Sequence, residues 1–342
     1  YVRVTTTAEL VDAARAAWGD GDDWLVLGGG SNMVVADEGF DGTVIHVATT
    51  GIERLAADEP RVRLRVQAGE SWDALVAHTV AQGWGGIEAL SGIPGSVGAS
   101  PIQNIGAYGQ ELSTVLVSID FLDFLSGDVE TLAAADLGLD YRTSAIKQGR
   151  AGVVLAVELD LVATETGIVA YAQLAQTLGV AVGSRAPIAQ IRDAVLALRR
   201  AKGMVLDAAD PDSVSCGSFF TNPILGENFA RGLPADAPQW PMRPEAAAIV
   251  VPLGSEPAVP VGEEGMVKVS AAWLIERAGV TRGFSLPGSH VAISKKHSLA
   301  ITNRGGGTAE EVAELARFIQ AVVLSSFGIH LQPEPIAVGL TF

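Results

Sequence analysis

The sequence predicts an α+β protein of two or three domains. At 342 residues the chain is longer than a single hydrophobic core usually serves. Helical and strand patterns are mixed along its length, from a capping box at Thr6 and Glu9 to a strand with regular alternation at 62–69. Hydrophobic residues make up 48% and charged residues 18%, which is typical of a packed globular protein.

The N-terminal elements alternate between helix and strand. The capping box opens an amphipathic helix over 6–18, and Trp24–Leu27 has the pattern of a buried strand that runs into "GGGSN". After the alternating strand, Ser71 is the expected N-cap of a second helix that stops at Gly83. These signals predict a small α/β unit at the start of the chain.

The rest of the chain predicts further strands, three helices and one long loop. Proline, glycine and alanine dominate 226–264, which favours a long loop or excursion. The last residues are expected to form a strand pair packing on the N-terminal unit. The other predicted elements are strands at 115–125 and 152–162, a Pro-initiated helix at 186–203, and helices at 269–279 and 308–328.

Charge and cysteine content exclude several classes of protein. A net charge of −16 argues against non-specific binding to nucleic acid or an anionic membrane, so an anionic ligand would need a local site. The single cysteine, Cys216, rules out an intramolecular disulfide and fits a reducing compartment. No metal-binding histidine pair and no membrane-length apolar stretch occur. The chain begins at Tyr1 without methionine, so an N-terminal segment is expected to be missing and a targeting peptide stays open.

Two glycine-rich stretches suggest a phosphate site. The first, "GGGSN", follows a strand, but Met33 occupies the third glycine position of a dinucleotide fingerprint, so alone it favours a tight turn. The second lies in 84–110, which is too long and too apolar for a connector and is predicted to be an ordered functional loop. Together the two loops could present backbone N–H groups to one pyrophosphate. A nucleophile elbow is rejected because Pro94 stands at its first position.

Four other places carry candidate chemistry, each with a structural alternative. Arg142 could be a surface arginine in a turn, and the basic cluster at 199–203 could cap a helix or bind phosphates. Glu334 lies between two prolines and is either catalytic or merely exposed. Ser218 has no histidine near it in the sequence to activate it as a nucleophile, and Cys216 is expected to be buried and inert.

Taken together, these motifs resemble the UDP-N-acetylenolpyruvoylglucosamine reductase family, in its type I, actinobacterial-like form. The matching stretches cover almost the whole chain in family order, and the two most specific are "PIQNIGAYG" and "GSFFTNP". The full set is "GGGSN", "IPGSVGASPIQNIGAYG", "YRTS", "GSFFTNP", "AAWLIERAG" and "PEP".

The resemblance implies a three-domain flavoprotein whose FAD-binding domains are of the vanillyl-alcohol-oxidase/PCMH type. The expected boundaries place 1–52 with 328–342 in the first FAD-binding domain, 53–203 in the second, and 204–327 in a substrate-binding domain. The protein is expected to be cytoplasmic and monomeric, without nucleic acid, membrane or metal.

The implied activity is the NADPH-dependent, FAD-mediated reduction of UDP-N-acetylglucosamine enolpyruvate to UDP-N-acetylmuramate, in peptidoglycan precursor synthesis. NADPH and the sugar nucleotide would alternate in one cleft. Hydride from flavin N5 would reach C3 of the enolpyruvyl group, and Ser218 would give a proton to C2. Arg142 and Glu334 would stabilise the enolate-like species that forms between these two transfers. A donor to so basic a carbon requires no histidine partner.

The resemblance also assigns binding residues. Three departures are expected to matter: Trp240 replaces a substrate-contacting tyrosine, "PEPI" replaces a Glu-Val-Arg sequence, and a Gly-Gly-Pro segment is missing before the first helix. The residues expected to bind substrate are Tyr141, Tyr171, Lys202, Asn222, Trp240 and His297. Those expected to bind cofactor are Gly28, Gly29, Gly30, Ser31, Asn32, Pro94, Gly95, Ser96, Val97, Gly98, Ser100, Gln103, Asn104, Gly106, Ala107, Tyr108 and Val154.

Two alternatives stay open. One is another FAD oxidase or dehydrogenase of the same flavin fold acting on a different alcohol, which would not require "GSFFTNP", Arg142 and Glu334 together. The other is a flavin- or nucleotide-binding protein without turnover. Reoxidation of the reduced flavin by the enolpyruvyl sugar nucleotide would distinguish the reductase from both.

Overall fold

The computed structural model describes residues 1–242 and 265–342, and these combine helices and strands as the sequence predicts. The helices are α1 (Thr7–Asp20), α2 (Trp72–Ala81), α3 (Ala172–Leu178), α4 (Ile188–Ala201), α5 (Glu227–Ala230), α6 (Ala271–Arg277) and α7 (Ala309–Phe327). The strands are β1 (Val2–Val4), β2 (Trp24–Leu27), β3 (Met33–Val35), β4 (Thr43–Val47), β5 (Ile52–Leu55), β6 (Arg61–Gln67), β7 (Trp84–Gly85), β8 (Gly106–Ala107), β9 (Gln110–Glu111), β10 (Leu116–Asp123), β11 (Val129–Ala133), β12 (Gly152–Ala163), β13 (Thr166–Ile168), β14 (Arg185–Pro187), β15 (Ile224–Gly226), β16 (Gln239–Met242), β17 (Met266–Val269), β18 (Val291–Ile293), β19 (Ile301–Asn303) and β20 (Ile336–Val338).

The chain divides into two compact units. The first contains Tyr1–Asn32 and Glu38–Ser213, and the second contains Met33–Asp37 and Val214–Phe342. The C-terminal strand β20 pairs in parallel with β3, so both belong to the second unit. The expected grouping of 1–52 with 328–342 and the boundary at 203 stay predictions.

The first unit has two larger sheets and the two-stranded pairs β8-β9 and β13-β14. In one, β4 lies between β1 and β2, and all three strands are parallel. In the other, strands follow the antiparallel order β11-β10-β12-β6-β5, with β7 also paired to β12. The alternation predicted for β6 is confirmed, because Val62, Leu64 and Val66 are buried and the residues between them are not.

Local capping signals fix several helix ends. In α1 the Thr6 hydroxyl accepts from the N–H of Glu9, whose carboxylate in turn accepts from the N–H of Thr6. Thr308 and Glu311 form the same box at the start of α7, which ends at Gly328 in the left-handed conformation (φ 70°). Ser71 caps α2 as predicted. These helix ends follow from the local sequence.

The second unit has a three-stranded sheet in the order β15-β17-β16, a β18-β19 hairpin and the long helix α7. The loop predicted over 226–264 is wrong in its described part, since 227–230 is helical and 239–242 is the strand β16. Pro241 does not prevent that strand, because β16 is at the edge of its sheet, where a missing N–H is tolerated. Residues 243–264 lie outside the described part of the chain.

Across 1–242 and 265–342, none of the helices combines the length and the apolar character that a membrane crossing requires.

Candidate functional site

The two glycine-rich loops of the first unit lie backbone to backbone. A Cβ atom added at Gly28 would lie 2.5 Å from Ser96 Oγ, and one added at Gly29 would lie 2.8 Å from Gly95 Cα. Gly95 itself has φ 110°, a conformation that side chains disfavour. The sequence predicts that the two loops could present N–H groups to one ligand, and in the structure the two loops are in contact.

The surrounding elements hold the second loop in place. The N–H of Trp72, at the start of α2, donates to Gly95 O at 3.1 Å, and Ser71 forms an antiparallel bridge with Ser96. Gly98 packs so closely on Ala68 that a Cβ there would lie 2.5 Å from the Ala68 Cβ. The result is a close contact between two glycine-rich backbone segments, called the glycine cradle below; backbone N–H groups of such segments can bind phosphate without adding charge to a chain that carries −16.

The other residues assigned to the cofactor are less uniform. Asn32 Nδ2 donates to Gln103 Oε1 at 3.0 Å, which links the two loops through side chains. Val97 and Val154 are buried in the hydrophobic core of the first unit, so contact with a cofactor would involve their backbone. Tyr108 packs edge-on against Tyr171, with ring centroids 5.6 Å apart.

The side chain of Arg142 is hydrogen-bonded to the second glycine-rich loop. Its guanidinium donates from Nη2 to Gly106 O at 2.6 Å and from Nη1 to Asn104 O at 3.3 Å, and it lies 5.5 Å from the centroid of the Tyr141 ring. Tyr141 in turn donates its N–H to Asp140 Oδ1. The sequence alone favours a surface arginine in a turn, whereas in the structure the guanidinium is hydrogen-bonded to carbonyls of the glycine-rich loop.

Backbone strain is concentrated at this place. Within the described ranges, the non-glycine residues with positive φ are Asn104 (44°), Tyr108 (49°) and Arg142 (56°). All three are candidate site residues, and such conformations persist only where the surrounding structure enforces them. Asn104 is enforced by two bonds, since its Oδ1 accepts from the N–H of Ser113 and its Nδ2 donates to Asp140 O.

A second cluster of the first unit is cationic and aromatic. Lys202 Nζ lies 5.9 Å from the centroid of the Tyr108 ring and donates to Gln173 Oε1 at 3.0 Å. Burial lowers the pKa of Lys202 below its ordinary value of 10.5, and the charge of Arg199 acts in the same direction. Burial raises the pKa of Tyr108. Tyr171, half exposed, completes the cluster.

Arg199 was predicted only as a member of a basic cluster, but it is buried in the first unit. Its Nη2 donates to Met204 O at 2.9 Å, and no acceptor among the described residues reaches its Nε. Burial lowers the pKa of this guanidinium, which nevertheless stays charged at neutral pH. Helix periodicity could have placed it on the inner side of α4, beside Ile191 and Val195.

In the second unit, Ser218 and Glu334 lie on neighbouring extended segments. The N–H of Phe219 donates to Leu299 O at 2.8 Å, and Phe219 O accepts from the N–H of Glu334 at 2.8 Å. Phe219 and Phe220 are both buried and anchor the segment in the core. The structure therefore places two of the three predicted catalytic residues on backbone segments that are hydrogen-bonded to each other, while Arg142 belongs to the first unit.

A histidine lies beside Ser218. Ser218 Oγ is 3.3 Å from His297 Nε2, although the two residues are 79 positions apart. The sequence showed no histidine near this serine and assigned His297 to the substrate. No local signal could have found the pair, because it depends on the pairing of 218–219 with the chain around Leu299.

The remaining substrate candidates have mixed surroundings. Asn222 Oδ1 accepts from the N–H of Ala271 at 2.9 Å, so it supports the start of α6. Trp240 is on the edge strand β16 and half exposed. Burial raises the pKa of the Cys216 thiol, which donates to Met33 O at 3.1 Å, as expected of an inert cysteine. The described residues include no His, Cys, Asp and Glu group able to hold a metal ion.

Comparison with known proteins identifies relatives over the whole chain. Residues 210–338 match the family "UDP-N-acetylenolpyruvoylglucosamine reductase, C-terminal domain", and residues 1–133 match "FAD binding domain". A protein of Leifsonia xyli subsp. xyli named UDP-N-acetylenolpyruvoylglucosamine reductase is 58% identical over 97% of this chain and 92% of its own length. One of the same name from Saccharopolyspora erythraea is 50% identical, over 99% and 90%.

A solved structure supports the fold. The UDP-N-acetylenolpyruvylglucosamine reductase (MurB) of Thermus caldophilus superposes with a TM-score of 0.61 and 24% identity. The match covers 98% of this chain and 91% of that one. At this identity the likeness shows the fold, which is that of an α+β flavoprotein with more than one domain.

Proposed function

The chain belongs to the UDP-N-acetylenolpyruvoylglucosamine reductase family, and we propose that it reduces UDP-N-acetylglucosamine enolpyruvate to UDP-N-acetylmuramate. FAD would be the bound cofactor and NADPH the electron source. The observation that carries the proposal is that Ser218 and Glu334 lie on extended segments joined by a backbone hydrogen bond, so one part of the second unit carries both a hydroxyl proton donor and a carboxyl group.

The glycine cradle would hold FAD. Its diphosphate would lie beside the contact of Gly29 with Gly95, on the side where both loops turn backbone to the ligand, since backbone N–H groups bind phosphate without adding charge. When bound, FAD supplies the two-electron chemistry that delivers hydride to C3 of the enolpyruvyl group. The protein then has to bind the substrate, stabilise the negative charge that follows, and protonate C2.

Arg142 would bind the enolpyruvyl carboxylate. A guanidinium is a planar group of N–H donors that matches the geometry of a carboxylate. The hydrogen bonds between the two become stronger as negative charge spreads into the carboxylate from C2. The carbonyls of Asn104 and Gly106 fix the guanidinium before the substrate arrives, so little reorganisation is required during the reaction. This explains why the chain tolerates a strained backbone at Arg142.

Ser218 would donate its hydroxyl proton to C2, and Glu334, when protonated, would donate a hydrogen bond to the enolate oxygen. A serine hydroxyl is a weak acid, but the carbon it protonates is strongly basic, so the transfer is favourable. The N–H of Glu334 donates to the carbonyl of Phe219, the residue after Ser218, and this bond fixes the spacing of the two backbone segments.

The test is an anaerobic half-reaction. NADPH is expected to bleach the flavin absorbance of the holoprotein, and the enolpyruvyl sugar nucleotide is expected to restore it with one equivalent of UDP-N-acetylmuramate formed. Bleaching without restoration would favour a flavin oxidase for another alcohol. No bleaching at all would favour a binding protein without turnover.

We expect Lys202 to contact the substrate diphosphate, and this gives a pH dependence. The dianion prefers the protonated amine, so affinity for UDP should fall as pH rises through the pKa of Lys202, which lies below 10.5. Isothermal titration at several pH values should show that fall in the wild type and not in Lys202→Arg, whose charge persists. Lys202→Met should bind about tenfold or more weakly near pH 7, from loss of a charge-assisted bond. A wild-type affinity in Lys202→Met would contradict the assignment.

The cytoplasmic location, the monomeric state and the alternation of NADPH and sugar nucleotide in one cleft stay predictions.

A further inference from the structure

The reaction outlined above gives no role to the contact between Ser218 and His297. Ser218 Oγ and His297 Nε2 are 3.3 Å apart, a long hydrogen bond of the kind that tightens when a ligand binds. If Ser218 gives its proton to C2 in each turnover, its oxygen must regain one before the next. The only question is which group supplies it.

The loop that carries His297 is held in a defined backbone conformation by hydrogen bonds. The buried Ser294 hydroxyl accepts from the N–H of His297 at 3.3 Å and from the N–H of Lys296 at 3.0 Å. The N–H of Ala300 donates to His297 O at 3.2 Å, which closes the turn. Leu299, two residues after His297, accepts a hydrogen bond through its carbonyl from the N–H of Phe219, which follows Ser218. This bond joins the backbone segments that carry the histidine and the serine.

We propose that His297 is a positioning residue for Ser218 and the group that returns its proton, an inference that rests on the proposed reduction. In one concerted step, the Oγ–H bond breaks as the C2–H bond forms, and the Nε2–H bond of the imidazolium breaks as a new Oγ–H bond forms, so loss of His297 slows the reoxidation step itself. The neutral imidazole then takes a proton from solvent, which it can reach because His297 is partly exposed. No electron is transferred in these steps.

Charged residues occur on two segments at the pair. Lys295 and Lys296 precede His297 on its own loop, and Glu334 is on the segment hydrogen-bonded to Phe219. Charged residues of both signs therefore lie on the segments that carry and adjoin the pair.

The experiment separates the two half-reactions in His297→Ala and His297→Gln, with His290→Ala as the control. His290 is an exposed histidine of the same unit, 3.6 Å from Glu311 Oε1 and outside the proposed machinery. Flavin bleaching by NADPH should be unchanged in all three variants. Reoxidation at saturating enolpyruvyl substrate should slow by about 10- to 100-fold in both His297 variants, because glutamine can hold the hydroxyl but cannot release a proton.

Two further readouts distinguish a proton route from a structural or binding role. Added imidazole should restore part of the reoxidation rate in His297→Ala, whereas it should restore none in Ser218→Ala. The dissociation constant of the sugar nucleotide should stay within about twofold of the wild type. A raised dissociation constant with a normal saturated rate would make His297 a substrate-binding residue and overturn the proposal.

An unchanged reoxidation rate in both His297 variants would overturn it equally, and so would the absence of imidazole rescue. Failure of the wild type itself to reoxidise with the enolpyruvyl substrate would instead overturn the proposed function. If His297→Ala does not fold, His297→Gln and its glutamine donor keep the test available, with thermal melting as the check on folding.

Discussion

Ser218→Ala is expected to slow reoxidation of the reduced flavin by about 10²- to 10⁴-fold, the usual contribution of a positioned general acid. Bleaching by NADPH should proceed at the wild-type rate, because hydride transfer to the flavin requires no proton from this hydroxyl. The effect should be confined to the saturated rate, since Ser218 acts on C2 only as the bond forms. Stopped-flow absorbance of both half-reactions measures each part.

The matched control for this change lies three residues earlier. Ser215 is on the same segment, and its Oγ accepts only a local bond from the N–H of Gly217 at 3.3 Å. Ser215→Ala removes a hydroxyl of the same size and should leave both half-reactions near wild type. Equal losses in the two variants would mean that the segment had been distorted, and a normal rate in Ser218→Ala would refute the proton donor.

Much of the fold was predictable because its signals are local. Both capping boxes, the N-cap Ser71 and the stop at Gly328 depend on residues within one turn of each other. The alternation in β6 likewise needs only neighbouring residues. The strand β16 was missed because a proline-rich stretch looks like a loop until an adjacent strand pairs with it.

The candidate site was predictable in composition but not in arrangement. The glycine loops, Arg142, Ser218 and Glu334 are proposed from motifs and the family resemblance, whereas the bonds that position them join distant segments. Arg142 is fixed by carbonyls 36 and 38 residues away, and His297 reaches Ser218 across 79 residues. Contacts of that separation leave no periodic trace in the sequence, so only the folded chain reveals them.

Gly29→Ala is expected to weaken FAD binding by about 10- to 100-fold and to yield protein with little bound flavin. The new Cβ would lie 2.8 Å from the Cα atom of Gly95, so the two loops must separate. Overpacking of this kind costs about 1–3 kcal/mol, and each 1.4 kcal/mol is a factor of ten in affinity. Flavin absorbance of the purified protein and titration of apoprotein with FAD measure the loss.

The rank order among glycine variants tests the cause. Gly28→Ala meets the Ser96 hydroxyl at 2.5 Å, and a side chain can rotate away where backbone cannot, so its loss of flavin should be smaller. Gly19→Ala is the neutral control, since nothing lies within 4 Å of its new Cβ and the residue is within α1, where alanine is favoured by about 0.5–1 kcal/mol. Equal flavin retention in Gly29→Ala and Gly19→Ala would contradict the proposal that the contact between the two loops forms the phosphate site. The phosphate site would then lie elsewhere, with the loop bonded to Arg142 as the remaining candidate.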